Sequence, residues 1–336
     1  MAESGKKFRK KGAEQFRQHR MSMICIRNSN PEHRRNSYTM PCTVSVPLPL
    51  FVVSLCLLLP QPAFSSPVDD ELLIIRDGDL PILITAPHGG KLDLPDVPAR
   101  TGDGLKKGPS GFFAGRDTGT EELALKVVEL LDQKLPGSPS CVISRVHRKY
   151  IDFNRPPEIA VEHSKARVVY DSFHHAARSS VQRIRAKHSR GLLIDIHGQG
   201  SSASTVYRGT SNGVTVEHLR RTFGEEAHTG PQSLLGLLAA KGWKVHPDPG
   251  TGREQAGFTG GFIVRTYGSG KADGIDAIQL EFGIDYRRAD ARDKTAEALA
   301  AAVTEWSRSS WSTVPGRAAI SAPKRSPARR PTVTRC

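Results

Sequence analysis

From residue 57 to residue 335 the chain has one cysteine, Cys141, inside the apolar run Cys141-Val142-Ile143. Cys25, Cys42 and Cys56 lie before that stretch and Cys336 ends the chain, so neither a disulfide framework nor a Cys-type zinc site can be assembled in the body. Acidic residues are absent from residues 307–336, which carry seven Lys/Arg, while residues 1–65 hold ten Lys/Arg against three Asp/Glu. Each end is therefore +7, which accounts for the whole formal charge of +14 and leaves the middle neutral. A neutral body lacks the clustered charge of a nucleic-acid face, which reduces nucleic acid to a minor hypothesis, and no nucleic-acid partner is expected. Internal repeats are also missing.

What is present divides the 336 residues into three parts. Residues 1–65 read as a leader: a basic start, an apolar run from Val46 to Leu59, then Ala63-Phe64-Ser65, which fits a secretory signal with cleavage after Ser65. The run is short and proline-interrupted for a membrane span, so a secreted or periplasmic protein is expected, with an uncleaved membrane anchor as the alternative. The polar stretch before it is longer than a signal needs, and Met21, Met23 and Met40 are alternative starts. Residues 66–306 hold all of the periodic signal and read as one domain. Residues 307–336 are Pro, Ser, Ala and Arg without period, a basic disordered tail; contact with an anionic wall or lipid surface is the alternative to a solvated end.

Within the body, Ile82-Leu83-Ile84-Thr85-Ala86 reads as a buried strand that Pro87 ends, delivering His88 at its carboxyl end before Gly89-Gly90. Alone, this is a turn histidine. The arrangement recurs at Leu192-Leu193-Ile194-Asp195-Ile196-His197-Gly198, and two histidines at two strand ends suggest one site. Asp195 shares a strand face with His197 and can receive its second N–H. Glu71 to Arg76 reads as a strand forming a hairpin or edge pair with Ile82 to Ala86. Residues 91–116 form a long Gly/Pro/Lys loop. Thr118 with Glu121 is a capping box opening a helix to about Lys134. Glu121 then has a local partner, which makes Asp117 the better ligand candidate, unless Asp117 is itself the N-cap. Ser140 to Ser144 is a further strand and residues 158–189 a helix. Val214 to Phe223 and Ser233 to Lys241 read as helices, Trp243 to His246 as a short strand, and Lys294 to Trp306 as the closing helix. Asn154 and Arg155 stand before Pro156 in extended backbone, an amide beside a planar fork, suited to a carboxylate; equally, Arg155 can pair with Asp152 as scaffold. Glu281 ends the apolar strand Ile275 to Gly283, where a carboxylate needs a partner or a task.

In order, Pro87-His88-Gly89-Gly90, Asp117-Thr118-Gly119, Asp152-Phe153-Asn154-Arg155, Asp195-Ile196-His197-Gly198, the run from Gly260 to Gly268 and Gln279-Leu280-Glu281 resemble the N-formylglutamate amidohydrolase family over about residues 80–290. The resemblance implies an α/β fold with a mixed, largely parallel sheet flanked by helices, carboxypeptidase-like (phosphorylase/hydrolase-like). It implies one zinc per chain, held by His88, Asp117 and His197 with a fourth position open for water. Glu281 would serve as general base, Asn154 and Arg155 would bind the substrate carboxylate, and Arg265 would face a second carboxylate or the developing oxyanion. The expected activity is hydrolysis of an amide in a small N-acyl amino acid or a peptide with a free carboxylate. A metallocarboxypeptidase-like or cell-wall peptide amidase is the alternative, and a non-catalytic wall-binding protein a third reading.

Overall fold

The computed structural model describes residues 71–108 and 111–312. The leader with its signal and most of the basic tail lie outside the described residues. The elements run β1 (Leu73–Arg76), β2 (Ile82–Ala86), α1 (Thr120–Lys134), β3 (Ser140–Ser144), α2 (Pro157–Ala160), α3 (Ser164–Lys187), β4 (Leu192–Gly198) and β5 (Val206–Gly209). They continue with α4 (Glu217–Phe223), α5 (Glu226–Thr229), α6 (Leu234–Ala240), β6 (Val245–His246), α7 (Phe262–Tyr267), β7 (Asp276–Phe282), α8 (Ile284–Arg287) and α9 (Arg292–Ser312).

The strands form one seven-stranded sheet in the order β1-β3-β2-β4-β7-β5-β6. The central four, β3, β2, β4 and β7, are mutually parallel, β1 and β5 join antiparallel, and β6 runs parallel to β5. This is the expected mixed, largely parallel α/β sheet. Its middle strands are buried on both faces, which is why they read as near-continuous apolar runs. Side chains alternate across the sheet. Ile82, Ile84, Ile194, Ile196, Ile278 and Leu280 pack against Leu123, Val127 and Leu131 of α1 and Leu299 and Val303 of α9. Leu83, Leu193 and Ala277 face Phe173 and Val181 of α3 and Ile263 and Val264 of α7. Alternation therefore sends Thr85, Asp195, His197, Gln279 and Glu281 to the second face. After β3 the chain crosses to the other side of β2, so the crevice between the carboxyl ends of β2 and β4 is the switch point where such sheets bind ligands.

Several expectations give way to the structure. β1 makes no hairpin with β2; it pairs with β3, because the connector turns across Ser138, with the Asp79 and Leu80 N–H groups donating to its carbonyl. The helix expected over 158–189 is two, α2 and α3, and the closing helix runs to Ser312. The capping box does not form. Helix α1 starts at Thr120, with Gly119 as its N-cap at φ 88°, and a Cβ there would meet the Arg287 carbonyl at 2.3 Å. No described helix is long and apolar enough to cross a membrane. Cys141 is buried and free in β3.

Candidate active site

The carboxyl ends of β2 and β4 bring His88 and His197 together, 1% and 2% exposed, with ring centroids 4.9 Å apart. Asp117, delivered by the loop before α1, completes a buried triangle whose donor atoms all lie within 4.8 Å of one another. Its Oδ2 is 3.5 Å from His88 Nδ1 and 3.4 Å from His197 Nδ1. Nitrogen and oxygen ligands about 2.0–2.1 Å from a tetrahedral zinc would be separated by about 3.4 Å. Each imidazole commits its other nitrogen to a buried carboxylate: His88 Nε2 donates to Asp152 Oδ1 at 2.7 Å, and His197 Nε2 to Asp195 Oδ2 at 2.7 Å. Thr85 Oγ1 donates to Asp195 Oδ1 at 2.6 Å and fixes that acid in turn. Both Nδ1 lone pairs are thereby aimed at the centre, and His88 Nδ1 is buried without a hydrogen-bond partner. A buried acceptor left unpaired is costly, and a cation at the centre of the triangle satisfies it. The cluster can hold a metal ion, and its two imidazoles and one carboxylate form the donor set of a catalytic rather than a structural zinc site.

The charges agree. Burial favours the neutral form of Asp117, but the adjacent imidazoles of His197 and His88 and the Arg148 guanidinium hold its carboxyl far below the usual range. Burial also opposes charge on His197, yet the Asp195 carboxylate and the contact with Asp117 hold its pKa well above the ordinary value. Positive charge is favoured at this point, whether carried by a proton or a cation. Glu281 is the register partner of His197 on the adjacent strand. Burial is the main cause pushing its pKa up to about 7, with His197 opposing and Asp117 reinforcing.

Of the residues read from sequence, Glu121 stays outside the triangle, its carboxylate 3.4 Å from Arg145 Nε. Asn154 is buried, and its Oδ1 accepts from the Ile263 N–H while its Nδ2 donates to Gln279 Oε1. Arg155 lines the cavity, with Nη1 donating to the Asn154 carbonyl and Nε to that of Gly111. Arg265 is exposed at the rim, held by the Ser211 and Thr259 hydroxyls. The cavity lined by Asn154, Arg155 and Arg265 measures about 790 Å³, and Phe113 from the long loop forms part of its wall.

Four residues were missed. Asp152, considered earlier as a partner for Arg155, is the acid that orients His88, and it also accepts Nε and Nη2 of Arg148 at 3.1 and 2.8 Å. Burial would raise its pKa, but Arg148 and His88 hold it well below the ordinary value. Arg148 is 7% exposed, faces the cavity and lies 3.7 Å from Asp117 Oδ1. Arg287 of α8 donates to the carbonyls of Phe282, Thr118 and Gln199, tying together the segments that carry Glu281, Asp117 and His197. A Cβ on Gly198 would lie 2.5 Å from that guanidinium, which explains the glycine after His197. Gln279 donates to Glu281. The contacts of Asp152 with His88, of Arg148 with Asp117 and of Arg287 with Thr118 and Gln199 all span long stretches of chain, whereas the two-residue spacing of Gln279 from Glu281 was a usable signal.

No family model and no curated protein matches the chain. Among solved structures, the chain is similar to an N-formylglutamate amidohydrolase from Ralstonia eutropha JMP134, at 15% identity and a TM-score of 0.47, over 73% of this chain and 100% of the other. It is also similar to a succinylglutamate desuccinylase from Chromobacterium violaceum (14% identity, TM-score 0.36, 69% and 64% covered). A third likeness is to the apo form of an N-acetylmuramyl-L-alanine amidase from Mycobacterium abscessus (12% identity, TM-score 0.31, 67% and 97% covered). The first of these carries the name of the family that the motifs resemble. Likenesses of this degree bring no chemistry with them; what the site does follows from its own groups.

Proposed function

We propose that the chain is a zinc-dependent amidohydrolase acting on an N-acyl amino acid or short peptide that carries a free carboxylate, exported by the signal read in its leader. The observation that carries this reading is the His88–Asp117–His197 triangle with Glu281 beside it at the floor of an open cavity. Zinc bound by those three residues supplies Lewis acidity, acidifying water and polarising the acyl oxygen. Asp152 and Asp195 hold the two imidazoles in the tautomer that leaves Nδ1 free. Glu281 takes a proton from the attacking water and returns it to the leaving amine, so the C–N bond breaks to give an acid and an amine. A carboxyl whose pKa lies near neutrality suits both halves of that task. Arg148, fixed by Asp152 against the ligand cluster, supplies positive charge where the acyl oxygen becomes negative. Arg155 and Arg265 face the same cavity and attract anionic substrates.

A cavity of about 790 Å³ exceeds what a formylated amino acid fills, which favours an acylated peptide over the smallest substrates. The test is zinc analysis of the full-length protein together with turnover of N-formyl-L-glutamate and of N-acetylated tripeptides, before and after chelation. About one zinc per chain and hydrolysis lost on chelation are expected. A chain that binds no zinc, or one whose Glu281→Gln variant turns substrate over at the native rate, refutes the assignment.

A further inference from the structure

The general base proposed above has two carboxylate oxygens, and the structure treats them differently. Gln279 lies two residues before Glu281 on β7, so both side chains leave the same face of the strand. Gln279 is 4% exposed, and its Oε1 accepts from the Gly261 N–H at 2.8 Å and from Asn154 Nδ2 at 3.2 Å. A main-chain N–H can only donate, which settles the orientation of the Gln279 amide: its NH₂ must point away from Gly261. Asn154 is oriented by the same logic, because its Oδ1 accepts from the Ile263 N–H at 2.8 Å and its NH₂ therefore faces Gln279. Two main-chain donors at the start of α7 thus orient two side-chain amides in series. The end of the series is Gln279 Nε2, which donates to Glu281 Oε1 at 2.8 Å.

We propose that Gln279 is a positioning residue that reserves Glu281 Oε1 as a hydrogen-bond acceptor, so that Oε2 alone takes the proton from water and passes it to the leaving amine. An oxygen already accepting an N–H is the poorer place for a proton, since protonation there would weaken it as the acceptor of that bond. The device also selects one rotamer of Glu281, and a base must sit within hydrogen-bond reach of the proton it removes. The chain of bonds begins at Gly261 and Ile263, which flank Phe262 in the cavity wall, so the base is aimed by the segment that meets the substrate.

This inference rests on the reading of Glu281 as general base, and two substitutions separate it from a scaffold role. Gln279→Glu keeps the acceptor for Gly261 and loses the donor to Glu281, whereas Gln279→Met loses both. If Gln279 only anchors the loop at Gly261, the Glu variant keeps native kcat and the Met variant falls. If it aims Glu281, both fall by at least ~10-fold in kcat with KM within about 3-fold and zinc content unchanged. Crystal structures of the metal-free variants provide a readout independent of turnover: Glu281 should leave its native rotamer in both. Native kcat in Gln279→Glu, or an unmoved Glu281 in both variants, overturns the proposal. Native turnover by Glu281→Gln would instead remove the base itself, a separate failure.

Discussion

His197 and Glu281 are register partners on the neighbouring parallel strands β4 and β7, and both project to the face covered by α3 and α7. Directly opposed residues on adjacent strands keep their Cβ atoms about 5 Å apart, so sheet register alone sets a candidate ligand beside a candidate base. Asp195 and Gln279, the register pair two residues earlier on the same face of these strands, are the residues that orient them.

If the triangle is the zinc site, its members are not interchangeable with nearby acids. His88→Ala, His197→Ala and Asp117→Ala should each lose bound zinc, because a catalytic zinc has three protein ligands and two do not retain it. Glu121→Ala should keep about one zinc per chain, since its carboxylate faces Arg145 rather than the histidines. Metal analysis after dialysis checks this; full occupancy in His197→Ala would move the site elsewhere.

Asp152 and Asp195 should matter to the metal without touching it. Asp152→Asn or Asp195→Asn loosens an imidazole and lowers its basicity, and such changes typically cost 10- to 100-fold in metal affinity. Competition against a chromophoric chelator measures it. Asp152→Asn should be the more damaging, because it also removes the carboxylate closest to the buried Arg148.

Much of this centre was legible beforehand, and for definite reasons. Buried parallel strands must be apolar throughout, so β2, β4 and β7 declared themselves, and a histidine or glutamate at the end of such a run stands out. Asp117 was preferred over Glu121 on the strength of a capping box that does not exist; the structure does bring Asp117 to the histidines, but Gly119 makes the turn into α1. The false hairpin came from the short connector between β1 and β2, which said nothing of the strand that inserts between them. Arg148, Asp152 and Arg287 were invisible as site residues because the groups that tie them to the site, Asp117, His88 and the Thr118 carbonyl, lie far along the chain, and only sheet order brings them together.

Acid should destabilise the fold through His174, which lies beneath the Asp152–Arg155 segment. One ring nitrogen donates to the Phe153 carbonyl and the other meets the Tyr267 hydroxyl. Burial is the main cause lowering its pKa from 6.5 to about 4, with Arg178 adding to it and the Phe153 carbonyl opposing. The unfolded chain therefore binds the proton more readily than the folded one between those values. Stability is fully present above about pH 6.5 and falls as the pH drops toward 4, by roughly 3 kcal/mol from this group. Urea unfolding across that range should show the slope, and His174→Gln should flatten it. An unchanged slope in the variant would assign the loss to other groups, beginning with His228, whose pKa burial also lowers to about 4.

Selectivity for a free carboxylate tests what Arg155 does. Its guanidinium lines the cavity and is braced by the carbonyls of Asn154 and Gly111, which fix the plane of the fork. Burial lowers its pKa, and the like charges of Arg148 and Arg265 add to the effect against the opposing pull of Asp152, so an incoming anion relieves repulsion among three arginines. A bidentate pair with the substrate carboxylate should therefore be strong, and a substrate amidated at that position should lose on the order of 10²-fold in kcat/KM with the native protein. Arg155→Ala should bring the free-acid and amide substrates close to parity, chiefly by slowing the free acid, while zinc content stays at the native level. Arg265→Ala should narrow the gap less, because that side chain is exposed at the rim and screened by water. Equal native rates on acid and amide would reduce Arg155 to scaffold, and would point to a peptide amidase that cuts away from a chain end rather than to a hydrolase of N-acyl amino acids.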